Sequence, residues 1–386
     1  MIIAVDDALP YWQDILAGLG DIRPYSAKGL RPEDIRDVDA LVIRSVTRVN
    51  ASLLKGSSVH FVAAASAGID HIDQGYLRSR RIHFGYSAGC NADAVSEYIV
   101  TALHVIASRK GWNLRGKSLA VIGVGNVGSR VARKARGLGM EVHLCDPPLH
   151  DLTGDPQYQL FDDVLEADIL SFHVPLALDG PYPTWHMVNR EILDRLSPKQ
   201  FLINSARGAV FDNQELKTAL REGRIEGAIL DVWEGEPQID HSLLELVDIA
   251  TPHIAGTAVD GKIRATEMAR VELCRFFGIH QSRSFEFLYP KSRPLRPEPA
   301  TTGQDSVSSV LLQAFDLPKA DAGLRSLAKD TPEKASAGFE RLRTGHPLRP
   351  EFRHFIIDLD ERHIDLADTF AALGFKPKGT ASAGAV

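Results

Sequence analysis

A glycine-rich turn within KSLAVIGVGNVGSRVARKARGLG constrains the fold of this chain more than any other feature. Gly123, Gly125 and Gly128 follow the apolar run SLAVI and precede a segment patterned as a helix. In a strand–turn–helix unit the first glycine permits the tight turn and the second lets the backbone approach a pyrophosphate. The third lets the helix pack closely on the strand. The stretch therefore predicts a parallel α/β sheet that binds a dinucleotide at a helix N-terminus.

An acidic residue after the next predicted strand indicates which dinucleotide is bound. EVHLC ends just before Asp146, eighteen residues after Gly128. A carboxylate there would accept hydrogen bonds from the adenosine ribose and repel a 2′-phosphate, which favours NAD over NADP. The alternative is a turn that only connects strand and helix. Strand, spacing, helix and acid together argue against it.

Composition limits the broad class of protein. The 386 residues predict two or three domains, and 44% hydrophobic with 24% charged residues predicts globular packing. A net charge of −6 argues against nonspecific binding to nucleic acid or membranes, since both are anionic.

The three cysteines lack CxxC spacing, so neither a disulfide framework nor a zinc site is expected. No apolar run reaches the roughly 18 residues that span a bilayer, and a cytoplasmic protein is expected.

Apolar runs and helical stretches alternate in two βαβ sets along the chain. The predicted strands of the first set are MIIAV, ALVIRS and HFVAAAS; those of the second, after a helix over 91–110, are SLAVI, EVHLC, ADILSFHVP, QFLINSA, GAILDVW and DIATP. The proline-rich segment 284–303 predicts a linker or extended arm, followed by a helix at SVSSVLLQAFDL and a strand at FRHFIIDLD. The last eleven residues, KPKGTASAGAV, are expected to be frayed.

Three polar residues follow predicted strands of the second set. Arg207 follows FLINSA, Glu236 lies in the turn after AILDVW, and His253 follows IATP. Ligands of open α/β sheets bind outside the carboxyl ends of the strands, so these residues can share one crevice. Removal of a hydride from a secondary alcohol needs a base such as histidine, a carboxylate that orients it, and a cation for a substrate carboxylate. The arrangement predicts a dehydrogenase, whereas chance surface loops would require the pattern to be coincidence.

The remaining histidines lack such a context and are interpreted as structural; they include His60, His71, His83, His104, His143, His173, His186 and His241. His71 and Asp73 in AGIDHID would suggest a metal site, but no third ligand is apparent. No metal is therefore predicted.

Several motifs together resemble one family, the D-isomer-specific 2-hydroxyacid dehydrogenases. GVGNVG, HVPL, NSARGAVFDNQEL, DVWEGEP and TPHIAG occur in that family's order and spacing, and RSVTRVN, SAGIDHID, GCNADAVSEY, CDPP and DGPYPTW resemble one of its subfamilies. The resemblance implies two doubly wound, Rossmann-like lobes and a small C-terminal α+β dimerisation domain. It assigns 1–92 with 257–281 to a substrate-binding lobe, 93–256 to an NAD-binding lobe, and 282–386 to the dimerisation domain of a homodimer.

The resemblance also implies an activity. 4-Phospho-D-erythronate would be oxidised at C2 to 2-oxo-3-hydroxy-4-phosphobutanoate, with NAD as hydride acceptor, in pyridoxal 5′-phosphate biosynthesis. Arg207 would hold the substrate, His253 would take the hydroxyl proton, and Glu236 would support His253. The positions implied to contact the cofactor are Gly123, Gly125, Asn126, Val127, Gly128, Asp146, Val174, Ala206, Asp231 and Gly256. Those implied to contact substrate are Ser45, Ser66 and Thr257.

The substrate's phosphate needs cations, and Arg44 and Arg48, which flank Ser45, are the candidates. Solvated surface charges are the alternative interpretation for both. Thr257 stands where the family commonly has a tyrosine, so substrate recognition is expected to differ at that position. Two further functions stay open: a related dehydrogenase of 3-phosphoglycerate or glycerate, and an NAD-sensing binding protein of this fold.

Overall fold

A computed structural model describes residues 1–280 and 282–379. The chain divides into two compact units, the first formed by residues 1–91 and 258–290 and the second by residues 92–257 and those from 291 onward. The strands are β1 (Ile2–Asp6), β2 (Asp21–Tyr25), β3 (Ala40–Ile43), β4 (Phe61–Ala64), β5 (His83–Tyr86), β6 (Ser118–Ile122), β7 (Glu141–Cys145), β8 (Tyr158–Gln159), β9 (Ile169–Phe172), β10 (Phe201–Asn204), β11 (Gly227–Leu230), β12 (Ile249–Ala250), β13 (Arg293–Leu295), β14 (Phe355–Leu359) and β15 (Lys376–Gly379). The α-helices are α1 (Trp12–Ile15), α2 (Ala51–Leu54), α3 (Gln74–Ser79), α4 (Ala92–Lys110), α5 (Asn126–Gly137), α6 (Pro147–Thr153), α7 (Arg190–Arg195), α8 (Asn213–Arg221), α9 (His241–Leu244), α10 (Val259–Phe277), α11 (Gly303–Ala314), α12 (Leu317–Arg325), α13 (Pro332–Thr344) and α14 (Ala367–Leu373).

The first unit is built on a five-stranded parallel sheet in the order β2-β1-β3-β4-β5. Side chains alternate between its faces, because successive residues of a strand point in opposite directions. Ile3 and Val5 of β1 belong to the core that also contains Ile263 and Leu273 of α10, whereas Ala4 belongs to the core on the other face. Both faces are therefore covered, as the uniformly apolar strands predict.

The second unit contains a seven-stranded parallel sheet in the order β12-β11-β10-β9-β6-β7-β8. Leu119 and Val121 of β6 pack into the core formed with α4 and α5, while Ala120 and Ile122 pack into the core on the opposite face. The strand order runs outward in both directions from β6 and β9. The glycine turn therefore follows the strand at which the order reverses, where ligands of such sheets bind.

The residues after 291 form a smaller three-stranded parallel sheet, β13-β14-β15, with helices α11 to α14. Phe352, Phe370 and Phe375 share one core with the apolar residues of α4 and α5. The contact is tight, since a Cβ placed on Gly137 of α5 would lie 2.4 Å from the Cβ of Ala372. This C-terminal segment therefore packs directly onto the helix that follows the glycine turn.

The sequence predicted the main features of both large sheets, and two doubly wound parallel lobes are confirmed. The expectation of frayed residues at KPKGTASAGAV was wrong for β15, which pairs with β14 in the sheet; residues 380–386 lie outside the described part of the chain. The proline-rich segment contributes β13 at a sheet edge, where a proline removes no needed ladder bond. The functional roles assigned to the three predicted domains stay predictions.

Across the described residues, no helix combines the length and apolar character needed to cross a membrane. Among the described residues, Cys90, Cys145 and Cys274 form no disulfide.

Candidate active site

The glycine turn between β6 and α5 has the geometry that a dinucleotide requires. Gly123 has a φ of +88°, and a Cβ there would lie 2.9 Å from the backbone of His173. A Cβ on Gly128 would lie 1.9 Å from the carbonyl oxygen of Gly123, so any larger residue would push α5 away from β6. A Cβ placed on Gly125 would have no neighbouring atom within 4 Å. The turn is thus closed on the protein side and open where a pyrophosphate would approach.

The N-terminus of α5 can receive an anion. Gly125 is its N-cap residue and has no side chain to occupy the N–H groups of the first turn, which begins with Asn126 and Val127. Free N–H groups and the positive end of the helix dipole favour a phosphate there. These residues therefore fit the cofactor predicted from the sequence.

Asp146, at the end of β7, is held in place by the backbone. Its Oδ2 accepts a hydrogen bond from the N–H of Val124 at 2.8 Å, and its Oδ1 accepts one from the N–H of Leu149 at 3.0 Å. The first bond ties the carboxylate to the glycine turn, and the second caps α6. Each oxygen retains a lone pair, so the group can still accept from ribose hydroxyls.

Arg207 lies on a short loop after β10 whose shape is set by its neighbours. The side chain of Asn204 accepts from the N–H of Ala206 at 3.0 Å and donates to the carbonyl of Arg207 at 2.9 Å. A Cβ on Gly208 would lie 2.0 Å from the backbone of Trp233. The loop that bears Arg207 therefore touches the turn that leads to Glu236, and only glycine permits that approach.

Glu236 and His253 form a hydrogen-bonded pair. His253 Nδ1 lies 2.5 Å from Glu236 Oε1, and Glu236 Oε2 accepts from the N–H of Trp233 at 3.2 Å. Burial alone would raise the pKa of Glu236. The hydrogen bond and charge of His253, with a smaller contribution from Arg343, instead bring that pKa below its usual value. An ionised carboxylate only accepts, so Nδ1 carries the proton and Nε2 is left for exchange with a substrate.

Asp231 organises the turn that carries His253. Its carboxylate is buried and accepts from the Thr251 hydroxyl at 2.7 Å and from the N–H groups of Ile254 and Ala255 at 2.8 and 2.9 Å. Its backbone carbonyl accepts from the N–H of His253 at 2.7 Å. These bonds hold His253 in a left-handed conformation with φ of +57°, which a non-glycine residue rarely adopts. The predicted contact of Asp231 with the nicotinamide amide stays a prediction.

The other predicted cofactor residues lie around the same strand ends. Val174, two residues beyond β9, has its Cγ1 2.9 Å from the position of a Cβ on Gly123. Ala206 is buried, and Gly256 lies in the turn closed by the bond from the N–H of Thr257 to the carbonyl of Ile254 at 2.8 Å. The structure therefore brings the predicted residues of the second unit to one edge of its sheet. Their contacts with ligands stay predictions.

The predicted substrate residues of the first unit follow β3 and β4. Arg44 pairs through Nε with the buried carboxylate of Asp6 at 2.8 Å, whereas Arg48 and Ser45 are exposed. The hydroxyl of Ser66 donates to the carbonyl of Gly68 at 2.8 Å. Arg44 is thus a positioned cation, unlike Arg48.

Sequence reasoning missed the groups that support the site. Asn204 and Thr251 shape the loops of Arg207 and His253, and His186, interpreted as structural, contacts both the Arg207 loop and the Glu236 turn. A polar residue that directly ends a buried strand would have been a signal for Asn204. His186 has no such signal, because its partner Glu234 lies 48 residues away.

Comparisons with known proteins identify the family. Residues 98–255 match the family described as "D-isomer specific 2-hydroxyacid dehydrogenase, NAD binding domain". The chain is 40% identical to the erythronate-4-phosphate dehydrogenase of Proteus mirabilis over 379 residues, which cover 97% of this chain and 99% of that one. This chain belongs to the erythronate-4-phosphate dehydrogenase family. A second member of the family, from Chromohalobacter salexigens, is 38% identical and covers 98% of this chain and 99% of its own length.

Solved structures support the same fold and cofactor for this erythronate-4-phosphate dehydrogenase family member. The NAD-bound 3-phosphoglycerate dehydrogenase of Entamoeba histolytica is 25% identical with a TM-score of 0.61, over 72% of this chain and 95% of that one. The D-lactate dehydrogenase of Aquifex aeolicus with NAD and lactic acid is 24% identical with a TM-score of 0.56, over 72% and 96%; at this identity the likeness shows the fold alone. NAD is the cofactor, which confirms the prediction from the glycine turn and Asp146.

Proposed function

We propose that this chain oxidises 4-phospho-D-erythronate at C2 to 2-oxo-3-hydroxy-4-phosphobutanoate, a step of pyridoxal 5′-phosphate biosynthesis. The observation that carries the proposal is the hydrogen bond between His253 and Glu236, next to the Arg207 loop, in a unit that binds NAD. The name shared by the relatives supports the choice of substrate.

The residues divide the chemistry among them. Arg207 holds the substrate carboxylate and the C2 oxygen through its planar guanidinium. His253 Nε2 accepts the proton of the C2 hydroxyl as the C2 hydride departs, and the carbonyl forms from the electron pair of the O–H bond. Glu236 stabilises the imidazolium that results. Bound NAD supplies the hydride acceptor. In the reverse direction the imidazolium of His253 returns the proton.

Arg44 and Arg48 are proposed to bind the phosphate, with Ser45, Ser66 and Thr257 also contacting substrate. Arg44 is the stronger candidate, because its guanidinium is paired with the buried carboxylate of Asp6, whereas Arg48 is exposed. We expect Arg44→Ala to raise the KM for the phosphorylated substrate more than Arg48→Ala does. An unchanged KM in either variant would remove that residue from the phosphate site.

The proposal also includes the assembly and the location. A homodimer formed through the C-terminal segment is the expected assembly, and sedimentation of the purified protein would test it. A cytoplasmic location agrees with three cysteines that form no disulfide among the described residues, since a reducing compartment keeps cysteines as thiols.

Steady-state kinetics with NAD and a panel of acids tests the function. The panel comprises 4-phospho-D-erythronate, unphosphorylated erythronate, 3-phosphoglycerate and glycerate, with 2-oxoglutarate added to reoxidise retained NADH. We expect the highest kcat/KM for 4-phospho-D-erythronate, and a higher value for 3-phosphoglycerate or glycerate would replace the substrate while keeping the mechanism.

Arg207→Ala distinguishes an enzyme from a sensor. If the protein is an enzyme, Arg207→Ala loses most of the turnover of the wild type. If it is a sensor, the wild type already has no turnover, and Arg207→Ala keeps the wild-type affinity for NAD.

A further inference from the structure

The loop between β9 and α7 carries an imidazole that contacts the supports of two catalytic residues. We propose that His186 is a positioning residue, which fixes the Arg207 loop relative to the Glu236 turn through Glu234 and Asp212. The inference rests on the proposed function, since it concerns the residues that perform that reaction. It assigns no contact between His186 and the substrate.

Both ring nitrogens of His186 face carboxylates. Nε2 lies 2.7 Å from Glu234 Oε1, and Nδ1 lies 3.4 Å from Asp212 Oδ2. The side chains of His186, Glu234 and Asp212 are 20%, 34% and 24% exposed, so water screens these contacts only in part. The hydrogen bond to Glu234 orients the ring, and Asp212 lies close to its other nitrogen.

The two carboxylates belong to the two turns that matter for catalysis. Glu234 lies two residues before Glu236 and is preceded by Trp233, whose N–H binds the catalytic carboxylate. Asp212 lies five residues after Arg207 and caps α8, accepting from the N–H groups of Gln214 and Glu215 at 3.0 and 3.1 Å. His186 therefore joins the Glu236 turn to the end of the Arg207 loop.

Backbone contacts reinforce the same connection. The N–H of His186 donates to the carbonyl of Ala209 at 2.8 Å, two residues after Arg207. Glu234 Oε2 accepts from the N–H of Asn213 at 3.4 Å, which adds a direct link between its turn and the start of α8. Together with the close approach at Gly208, these bonds leave little freedom for the Arg207 loop to move relative to Glu236.

The local backbone of His186 supports a specific role. Its φ of +48° lies in the left-handed region, which costs energy for a residue with a Cβ. The ring of Trp185 stacks on the imidazole with centroids 3.9 Å apart and an angle of 11°, although the indole is 52% exposed. Strained residues persist where surrounding contacts hold them and cluster at functional sites. Here those contacts are the bonds to the two catalytic turns.

A metal site would be another use of one histidine and two carboxylates. Within the described parts of the chain, however, no group of three such residues has an arrangement that holds a metal ion. Hydrogen bonding within the protein is therefore the role that the geometry supports.

The test compares His186→Ala with His186→Gln in the NAD-bound enzyme. We expect His186→Ala to lower kcat by about 10- to 100-fold, since small displacements of catalytic groups have effects of that order. The KM for 4-phospho-D-erythronate and the affinity for NAD should change less than about threefold, because neither ligand contact is removed. His186→Gln retains a side-chain donor for Glu234 and should restore most of kcat. The control is His143→Gln on β7, whose partner Glu141 lies 3.5 Å away at the surface and whose loss should leave kcat unchanged.

Glu234→Ala and the double variant provide a second measurement. If both residues act through one contact, Glu234→Ala lowers kcat similarly and the double variant is no slower than either single variant. If His186→Ala fails to fold, the kcat of Glu234→Ala alone still tests the contact, since it removes the same bond from the other side. Additive losses, a kcat within twofold of wild type in His186→Ala, or a His186→Gln enzyme as slow as the alanine variant would each overturn the proposal.

A substrate-independent readout separates this inference from the proposed function. The Nδ1 proton of His253, in its hydrogen bond to Glu236, should give a downfield NMR resonance in the NAD-bound protein, and its absence from His253→Asn would assign it. His186→Ala should shift or broaden this resonance even if another acid proves to be the substrate. An unchanged resonance would contradict the positioning role, whereas failure to oxidise 4-phospho-D-erythronate in the wild type would contradict only the proposed function.

Discussion

Two charge clusters in the second unit use the same residue chemistry in different surroundings. The side chains of His253 and Glu236 are 30% and 21% exposed, and they lie at the ends of strands where a substrate can reach them. Glu97 of α4 and Arg349 form an ion pair whose side chains are 2% and 8% exposed. Glu97 also accepts from the N–H of Phe352 at 2.7 Å, so the pair attaches the C-terminal segment to α4.

The difference indicates how access to water would separate the proposed catalytic pair from a structural one. A catalytic base must exchange protons, so one nitrogen of its ring has to remain reachable. The buried pair loses its hydration on both sides and is held by further bonds, such as that from Arg349 to the carbonyl of Ala94 at 2.9 Å. Removing one member of such a pair leaves an uncompensated charge in the interior. The first pair should therefore matter for turnover and the second for stability.

The largest expected effect is on turnover. His253→Gln removes the proton acceptor, and kcat should fall by about 10³-fold, which is typical for loss of general acid–base catalysis. The free energy of unfolding should change little, because the ring is partly exposed. Stopped-flow kinetics and urea denaturation measure the two quantities. In the control His150→Gln, at an exposed pair with Asp151 on α6, both quantities should stay at the wild-type value; equal losses in the two variants would contradict the comparison.

The buried pair should give the reverse result. At pH 8, above the pKa of about 7 that burial gives Glu97, Arg349→Met leaves the Glu97 carboxylate buried without its partner, and the free energy of unfolding should fall by about 3–5 kcal/mol. The kcat of the folded fraction should stay within about twofold. Arg296→Met is the matched control, since its pair with Asp358 is 78% and 31% exposed and should contribute less than about 1 kcal/mol. A loss at Arg349 no larger than that at Arg296 would show that burial does not distinguish the two pairs.

Two glycines sharpen the comparison without changing any charge. Gly208→Ala places a Cβ against the backbone of Trp233 and should separate the Arg207 loop from the Glu236 turn, lowering kcat by about 30-fold. Gly137→Ala places a Cβ 2.4 Å from that of Ala372, and its expected effect is a melting temperature lower by a few degrees with kcat retained. Parallel activity and thermal denaturation assays check both. A loss of kcat in Gly137→Ala, together with a lower melting temperature but normal kcat in Gly208→Ala, would contradict the assignment of one region to catalysis and the other to stability.

The smallest expected effect is on the pH dependence of stability. The contributions of Glu97 and Glu236 to the free energy of unfolding should change with pH in opposite directions. Burial raises the pKa of Glu97 to about 7, against the opposing charges of Arg349 and Lys134, so its stabilising contribution is full at low pH and is lost as pH rises toward 7. The pKa of Glu236 is lowered, so its contribution is present above the ordinary carboxyl pKa and is lost as pH falls. When the unfolding free energies of Glu97→Gln and Glu236→Gln are each subtracted from that of the wild type, the two differences should change with pH in opposite directions. Slopes of the same sign would contradict this prediction.

The sequence predicted features that depend on local pattern. Gly123, Gly125 and Gly128 identify the turn because their spacing follows from the geometry of one strand and one helix. Arg207, Glu236 and His253 were recognisable because each follows a buried strand, and strand ends meet at one sheet edge. The edge strand β2, with the sequence DIRPY, was missed because its polar residues and Pro24 lack the apolar pattern of a central strand.

Long-range pairs were beyond prediction. Glu97 and Arg349 lie 252 residues apart, and nothing in either local segment indicates the other. The same holds for His186 and Glu234, and for the hydrogen bonds through which Asp231 shapes the His253 turn. Such contacts depend on how helices and loops pack, which one chain's pattern of apolar residues does not specify.

The most direct test of the central claim is a single-turnover experiment with the NAD-bound enzyme and 4-phospho-D-erythronate. Reduced-nicotinamide absorbance is followed after rapid mixing, for the wild type and for His253→Gln, with protiated and C2-deuterated substrate. We expect a fast phase in the wild type, and in the variant a phase about 10³-fold slower with a clear deuterium effect. No reduction by the wild type, or equal rates in the two proteins, would contradict the claim that His253, supported by Glu236, drives this oxidation.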